Sequence, residues 1–302
     1  MIEKLIKPLD YEDLKYLKPY FEKWGPHTSD VNLTNLYIWK EKYRFHWLEF
    51  EGYIWIINIK ENKWYFSQPV GDYKDLDKLK KAIMNLKEEL KTLNRGLIIK
   101  KADESFVFEF KKLEIDAEIY ARAEEMDYVY DFSKLKNLSG KKYHKKKNHV
   151  NKFMRTYPNW RFEFYDGSQK DDIAKIMSYW LSKHREDYNT LIHESKGILE
   201  IVDKWQEHPI RMGLLYDENV LVGFSISELV FDDMMLIHIE KANTEYTGAY
   251  TMLFYQMVNS EKNSLKWINR EQDLGIESLR KSKLSYHPQK MIEKYTIKII
   301  GE

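Results

Sequence analysis

The 302-residue chain contains no cysteine. That absence excludes disulfides, thiolate metal sites and a cysteine nucleophile, and it fits the reducing environment of the cytoplasm. No stretch approaches the roughly 18 consecutive apolar residues of a membrane-spanning helix. The N-terminal residues MIEKLIKPLDYEDLK lack the apolar core of a signal peptide. We therefore expect a cytoplasmic protein with no integral membrane segment.

The chain also has almost no net charge. Lys and Arg total 49 and Asp and Glu total 48, which gives a net charge of +1. The overall charge therefore gives no reason to expect a nucleic acid or an anionic membrane as a partner, and any such partner has to be inferred from local sequence. Apolar surface for a core is plentiful, because the chain has 22 Tyr, 14 Phe and 9 Trp.

The order of predicted elements is nearly the same in the two halves of the chain. In the first half, three antiparallel strands between residues 45 and 68 precede a long amphipathic helix over residues 76–93. In the second half, three strands between residues 210 and 241 precede a helix around residues 250–258. Each half then continues with a strand, a helix and a further strand.

This repeated order predicts an α+β (mixed α/β) fold of two similar domains, each a mostly antiparallel sheet flanked by helices. We place the N-terminal domain at residues 1–125 and the C-terminal domain at residues 126–302. The final strand, predicted over Met291–Ile299, is assigned to the second domain.

A charged cluster within Met234–Pro288 is the candidate site. Strand ends and helix N-termini converge at the sites of α/β transferases, and this stretch has the order strand, turn, helix, strand, helix. Carboxylates there would orient an amine nucleophile, while cations would hold a phosphate or a developing oxyanion. A network of structural salt bridges is the alternative. The candidate catalytic residues are Glu271, Asp273 and Tyr286, and the candidate substrate- or donor-binding residues are Glu240, Asn243, Arg280 and Lys283.

A second candidate is a strongly basic segment. From Lys134 to Arg155 the chain carries many Lys and Arg residues and no Asp or Glu. Apolar residues recur there at helical spacing, which predicts a basic amphipathic helix over residues 141–156. We expect Lys141 and Lys145, on its polar face, to bind the phosphates of a tRNA, a lipid headgroup or a phosphorylated small molecule. A solvated helix face without a ligand is the alternative.

Three short segments carry a family resemblance. They are LSGKKYHKKKN at Leu138–Asn148, NREQDLG at Asn269–Gly275 and LRKSKLSYHP at Leu279–Pro288. They resemble a bacterial family, the phosphatidylglycerol lysyltransferase C-terminal domain in its stand-alone form. The element order resembles the GNAT superfamily of N-acetyltransferases and its tandem-domain members. The resemblance implies two GNAT-like acyltransferase domains and kinship with enzymes that transfer aminoacyl groups from tRNA to a lipid headgroup or to cell-wall peptides.

The resemblance also draws attention to the turn at Glu245–Tyr250. In GNAT enzymes this turn usually reads Gln/Arg-x-x-Gly-x-Gly/Ala, and its amides hold the pyrophosphate of coenzyme A at a helix N-terminus. Here the middle glycine, Gly248, is present, but Glu245 would repel a pyrophosphate and Tyr250 would crowd it. An aminoacyl-tRNA would not need this loop. Both acyl-coenzyme A and aminoacyl-tRNA therefore stay open as donors.

We expect an acyl- or aminoacyltransferase whose donor binds in the second half of the chain. One alternative is a non-catalytic protein with a degenerate GNAT fold that binds tRNA or another phosphate ligand, and a second is an acetyl-coenzyme A-dependent N-acetyltransferase. No metal is expected, because the residues that could form a ligand set lack the fixed spacing of a metal site. Those residues are His184, Glu186, Asp187 and His193.

Overall fold

The computed structural model describes residues 2–61, 63–183, 188–231, 233–261 and 265–300. Contacts divide the chain into two compact units, one made of residues 1–127 together with 292–302, the other of residues 128–291. The described residues form two seven-stranded sheets that are mostly antiparallel and flanked by helices. The predicted α+β class is thus confirmed.

The first unit alternates a few helices with the strands of one sheet. Its elements are β1 (Lys7–Pro8), α1 (Asp13–Trp24), α2 (Leu33–Ile38), α3 (Lys40–Tyr43), β2 (Phe45–Phe50), β3 (Tyr53–Lys60), β4 (Lys63–Phe66), α4 (Leu76–Lys91), β5 (Ile98–Ala102), α5 (Glu104–Lys112), β6 (Ala117–Ala121) and, from the end of the chain, β14 (Tyr295–Ile299).

The first sheet has the strand order β1-β2-β3-β4-β5-β14-β6, and its parallel neighbours β4 and β5 are joined through α4. Helix α4 begins after Asp75, whose carboxylate accepts a hydrogen bond from the Lys78 amide. Its apolar residues recur every three or four positions, so one face, including Leu79, Ile83 and Leu86, is buried in the core of this unit.

The second unit has the same kind of arrangement. Its elements are β7 (Asp127–Asp131), α6 (Phe132–Asn137), α7 (His144–Thr156), β8 (Trp160–Phe164), α8 (Lys170–Lys183), α9 (Tyr188–Asp203), β9 (Ile210–Asp217), β10 (Val220–Val230), β11 (Met234–Ala242), α10 (Ala249–Asn259), β12 (Trp267–Asn269), α11 (Glu277–Leu284) and β13 (Lys290–Ile292).

The second sheet has the order β13-β7-β12-β11-β10-β9-β8, and the parallel strands β11 and β12 are joined through α10. These two strands pair only over a short length, from Met234 opposite Trp267 to Leu236 opposite Asn269. Strand β12 ends at Asn269, whereas β11 continues to Ala242. The two strands therefore part beyond Leu236. The second half of β11 lies there without a β12 partner, beside the segment that follows β12.

The final strand lies in a different sheet from the one that the sequence analysis expected. The strand predicted over Met291–Ile299 is β14, and it pairs with β5 and β6 in the first sheet. Alternating apolar residues indicate a strand but do not specify its neighbours. Here Lys294, just before β14, is fully buried and forms ion pairs with Asp30 and with Asp127, the residue at which the N-terminal segment of the first unit ends and β7 begins. The predicted domain boundaries, residues 1–125 and 126–302, stay a prediction.

Candidate functional site

A buried ion pair lies where β11 and β12 part. Glu240 is near the end of β11, and Arg270 directly follows β12. Glu240 Oε2 accepts hydrogen bonds from Arg270 Nε at 3.2 Å and Nη2 at 2.5 Å. The two side chains are only 12% and 10% exposed. Burial disfavours the charged form of Arg270, but Glu240 outweighs that effect and raises the pKa of the guanidinium.

Each partner of this pair keeps one buried polar atom without a hydrogen-bond partner among the described residues. These atoms are Glu240 Oε1 and Arg270 Nη1. Ser225, the cross-strand neighbour of Glu240 on β10, likewise has a buried hydroxyl without a described partner. A buried polar atom left unsatisfied costs about 1–3 kcal/mol. The parting of the strands therefore offers a carboxylate oxygen and a guanidinium nitrogen that a polar ligand would satisfy.

Aromatic rings enclose the guanidinium of Arg270. Its Cζ lies 4.1 Å from the ring centroid of Phe254 on α10 and 4.8 Å from that of Tyr286. These two rings meet edge to face at 5.0 Å. Tyr286 is buried, and burial raises the pKa of its hydroxyl. The predicted residues Glu240 and Tyr286 are thus brought together, with Arg270 between them.

Lys146, a residue that the sequence analysis missed, lies on the same ring. Its Nζ is 3.7 Å from the ring centroid of Tyr286. Burial, followed by the charges of Arg270 and Lys145, lowers the pKa of Lys146 to about 8. The sequence did carry a signal, since Lys146 is four residues before the buried Val150 and so belongs to the inner face of α7.

Glu271 takes part in a second buried cluster. His238 on β11 lies between two carboxylates, with Nε2 3.0 Å from Glu228 and Nδ1 3.2 Å from Glu271. Burial alone would lower the pKa of the imidazole, but the hydrogen bonds to Glu228 and Glu271 outweigh burial and raise it to about 9. His238 was not predicted as a site residue, although a histidine inside the apolar strand MMLIHIEK is a recognisable signal.

Asp273 lies in a network separate from the ion pair. Its side chain accepts hydrogen bonds from the Tyr128 hydroxyl at 2.6 Å, from the Gly275 amide at 2.8 Å, and from Arg280 Nε and Nη2 at 2.7 and 3.1 Å. These contacts, chiefly the one with Arg280, lower the pKa of Asp273 to about 2. The predicted carboxylates Glu271 and Asp273 therefore have different partners.

The other predicted residues support the backbone or lie on the surface. Lys283 is buried and donates to the backbone carbonyls of Arg270 and Glu271, and the Asn243 side chain accepts from the Glu245 amide at 2.9 Å. The side chains of Lys141 and Lys145 are exposed.

Gly248 marks a close approach of two helices. It precedes α10 with a φ of +89°, a conformation that favours glycine. A Cβ at this position would lie 3.3 Å from the carbonyl oxygen of His149 and 3.7 Å from Cβ of Phe153, both on α7. Helix α7 therefore packs against the start of α10, where the pyrophosphate of coenzyme A lies in GNAT enzymes.

Neither a metal site nor a membrane span emerges from the described part of the chain. It contains no group of three or more His, Asp or Glu residues placed to hold a metal ion. Of the set considered from the sequence, His184, Glu186 and Asp187 lie outside the described residues. Within the described ranges, none of the helices combines the length and apolar character needed to cross a membrane.

The fold and the family of the chain can now be assigned. The two sheets, each with a helix connecting parallel central strands, make this a protein of two tandem GNAT-like domains. Residues 21–298 match the family described as phosphatidylglycerol lysyltransferase, C-terminal, and the chain belongs to that family. The resemblance carried by the three short segments is thereby confirmed.

Two solved structures have the same fold. A conserved protein of unknown function from Bacteroides thetaiotaomicron is 24% identical and superimposes with a TM-score of 0.87, covering 98% of this chain and 99% of the other. L-PGS from Bacillus licheniformis is 13% identical with a TM-score of 0.68, covering 98% and 94%. At these identities the structures establish the fold alone.

An uncharacterized protein of Mycoplasmoides gallisepticum is 26% identical over 193 residues, which are 64% of this chain. The match spans only 62% of that relative's length.

The His238 cluster predicts a pH dependence of stability. A histidine with a raised pKa in the folded state stabilises the protein below its unfolded pKa of about 6.5, and this contribution is lost as the pH rises. The free energy of unfolding, measured by denaturant titration, should therefore decrease between pH 6.5 and about 9. In His238→Gln the decrease should be much smaller, and Glu271→Gln should shift it to lower pH. An equal decrease in wild type and His238→Gln would contradict the assignment.

The Asp273 network predicts a loss of stability on truncation. Asp273→Ala leaves the buried Tyr128 hydroxyl without its acceptor and should lower the free energy of unfolding by about 1–3 kcal/mol. Glu277→Ala, which removes an exposed carboxylate from the first turn of α11, is the matched control and should change it by less than about 0.5 kcal/mol. Equal stability of wild type and Asp273→Ala would show that the network is not structural.

Proposed function

We propose that the protein is an aminoacyl- or acyltransferase whose transferred group binds where β11 and β12 part. The family and the GNAT-like fold support transferase chemistry of this kind. The observation that carries the proposal is the Glu240–Arg270 pair, buried at that point with one oxygen and one nitrogen left unsatisfied.

The two unsatisfied atoms fit an aminoacyl ester better than a simple acyl group. Arg270 Nη1 would donate to the carbonyl oxygen of the ester and stabilise the negative charge that develops on it during attack. Glu240 Oε1 would accept from the α-ammonium of the aminoacyl group. An acetyl group has no ammonium and would leave that carboxylate oxygen unsatisfied.

We assign the other predicted residues to supporting roles. Tyr286 forms a wall for Arg270, and the Glu271–His238 contact holds the segment after β12. Asp273, with its partner Arg280, and Lys283 bind the backbone and side chains of that same segment. In this view Glu240 and Arg270 contact the transferred group.

The surroundings of α10 favour aminoacyl-tRNA over coenzyme A as the donor. Helix α7 packs against Gly248 at the start of α10, and Glu245 in the same turn would repel a pyrophosphate. The exposed lysines Lys141, just before α7, and Lys145, in its first turn, are available for the phosphates of a tRNA acceptor end. The same basic surface would serve a non-catalytic tRNA-binding protein, so transfer has to be measured directly.

Replacing Glu240 should abolish most of the transfer. Aminoacyl-tRNA carrying a labelled amino acid is supplied with hydroxylamine as the acceptor, and the labelled hydroxamate is measured. Glu240→Gln should lower kcat/KM by about 100-fold or more, because the α-ammonium loses a charged acceptor and Arg270 loses its counter-ion. A thermal unfolding curve should establish that the variant is folded.

The matched control is Glu245→Gln, which removes an exposed carboxylate paired with Lys183 and should keep the wild-type rate. A wild-type rate in Glu240→Gln would contradict the proposed site. A wild-type protein that binds tRNA but forms no hydroxamate above the rate of the protein-free reaction would favour the non-catalytic alternative. Transfer from acetyl-coenzyme A instead would favour an N-acetyltransferase.

A further inference from the structure

The ammonium of Lys146 has an unusual environment for a lysine. It belongs to the first turn of α7, is half-buried, and lies 3.7 Å from the ring centroid of Tyr286. Among the described residues no carboxylate forms an ion pair with it, whereas its neighbours Lys145 and Lys147 are exposed to solvent. The ring of Tyr286 favours the ammonium, whereas burial without a counter-ion favours the neutral amine.

The charged groups around Lys146 act in the same direction. On its own helix are Lys145 and His149, and the pKa of His149 is itself lowered by burial and by the nearby lysines. From the segment after β12 comes Arg270, whose positive charge is fixed by its pairing with Glu240. The N-terminal end of a helix carries a partial positive charge, which adds to the repulsion. Together with burial, Arg270 and Lys145 bring the pKa of Lys146 to about 8.

Lys146 is also close to the proposed position of the transferred group. Its Nζ and the guanidinium of Arg270 both contact the ring of Tyr286, at 3.7 and 4.8 Å from the centroid. These two distances place Nζ no more than about 8.5 Å from the guanidinium carbon, so an acceptor bound between the two groups would be within reach of both. No other lysine of α7 has this contact with Tyr286 among the described interactions.

We propose that Lys146 is a catalytic residue, the general base of the transfer reaction. The inference rests on the transferase function proposed above. As the acceptor nitrogen or oxygen forms its bond to the carbonyl carbon of the aminoacyl ester, the lone pair of Lys146 Nζ takes the acceptor's proton. The tetrahedral intermediate then collapses, the ester C–O bond breaks, and the departing ribose oxygen takes the proton from the Lys146 ammonium. The neutral amine is restored for the next cycle.

The protonation state of Lys146 can be measured without any substrate. The full chain is treated with a limiting amount of acetic anhydride over a series of pH values, and acetylation of each lysine is quantified by peptide mass spectrometry. In the folded protein, half-maximal reactivity of Lys146 should fall near pH 8. In the unfolded chain the same lysine should titrate near its ordinary value of about 10.4. Equal midpoints in the folded and unfolded chain would overturn the proposal.

The role in transfer is tested by activity and by rescue. With aminoacyl-tRNA as donor and glycerol as acceptor, kcat/KM of the wild type should rise with pH and level off above about 8. Lys146→Ala should lose about 100- to 10,000-fold, and added methylamine should restore part of the rate. Lys146→Arg keeps the positive charge but cannot act as a base, so it should stay inactive. Lys175→Ala, which removes an exposed lysine of α8 outside the basic segment, should behave as the wild type.

The outcomes separate this proposal from the proposed function. If the wild type transfers the aminoacyl group but the pKa of Lys146 is not lowered, the general base is overturned and the proposed function stands. The same holds if the wild type is active and Lys146→Ala is inactive but is not rescued by methylamine. Absence of transfer by the wild type to either acceptor would overturn the proposed function and the general base with it, even if acetic anhydride reveals a lowered pKa.

Discussion

The separation of β11 and β12 is the constraint on which the rest of the second unit depends. Parallel neighbours that pair over only three positions leave the rest of β11 without a β12 ladder. Backbone and side-chain polar groups in such a gap need other partners. The chain meets part of this need with the Glu240–Arg270 pair, and it surrounds the guanidinium with the rings of Phe254 and Tyr286. The two charges are paired there, and each group keeps one polar atom without a hydrogen-bond partner among the described residues.

Neighbouring elements can be understood as supports for that pair. Lys283 holds the carbonyls of the segment after β12, while Asp273 with Arg280 fixes the turn that follows. His238, whose pKa is raised by its two carboxylate partners, ties Glu271 to β11 from within the sheet. Helix α7 closes the start of α10 at Gly248 and carries Lys146 to Tyr286. Several buried charges of this unit thus lie around one gap between two strands and are paired there. Burying them without partners would lower the stability of the fold.

The local patterns of the sequence predicted much of the fold. The strand over Phe45–Phe50 and the long helix from Leu76 follow directly from their apolar periodicity. Pairing at a distance was not predictable in the same way. The alternation in β14 is equally compatible with either sheet, and its place in the first sheet coincides with the carboxylates that Lys294 needs, Asp30 and Asp127, which are remote in sequence.

The candidate site, like the fold, could be predicted only in part. The sequence indicated the charged cluster and the basic helix, because residue types and spacing suffice for both. It could not say that Asp273 pairs with Arg280 while Glu271 pairs with His238, since partners are chosen by three-dimensional distance. It also pointed to the exposed lysines Lys141 and Lys145, although the lysine with the inward contact is Lys146.

The central claim is that Glu240 recognises the α-ammonium of an aminoacyl donor, and a binding cycle tests it most directly. Two stable ligands are compared by calorimetry, an amide-linked 3′-alanyl-adenosine and its 3′-propionyl counterpart, which lacks only the amino group. The alanyl ligand should bind wild-type protein about 10-fold or more tightly than the propionyl ligand, because a hydrogen bond to a charged group contributes about 1.5–3 kcal/mol. Glu240→Gln should remove that difference. A preference that is absent in the wild type, or that survives in Glu240→Gln, would contradict the account.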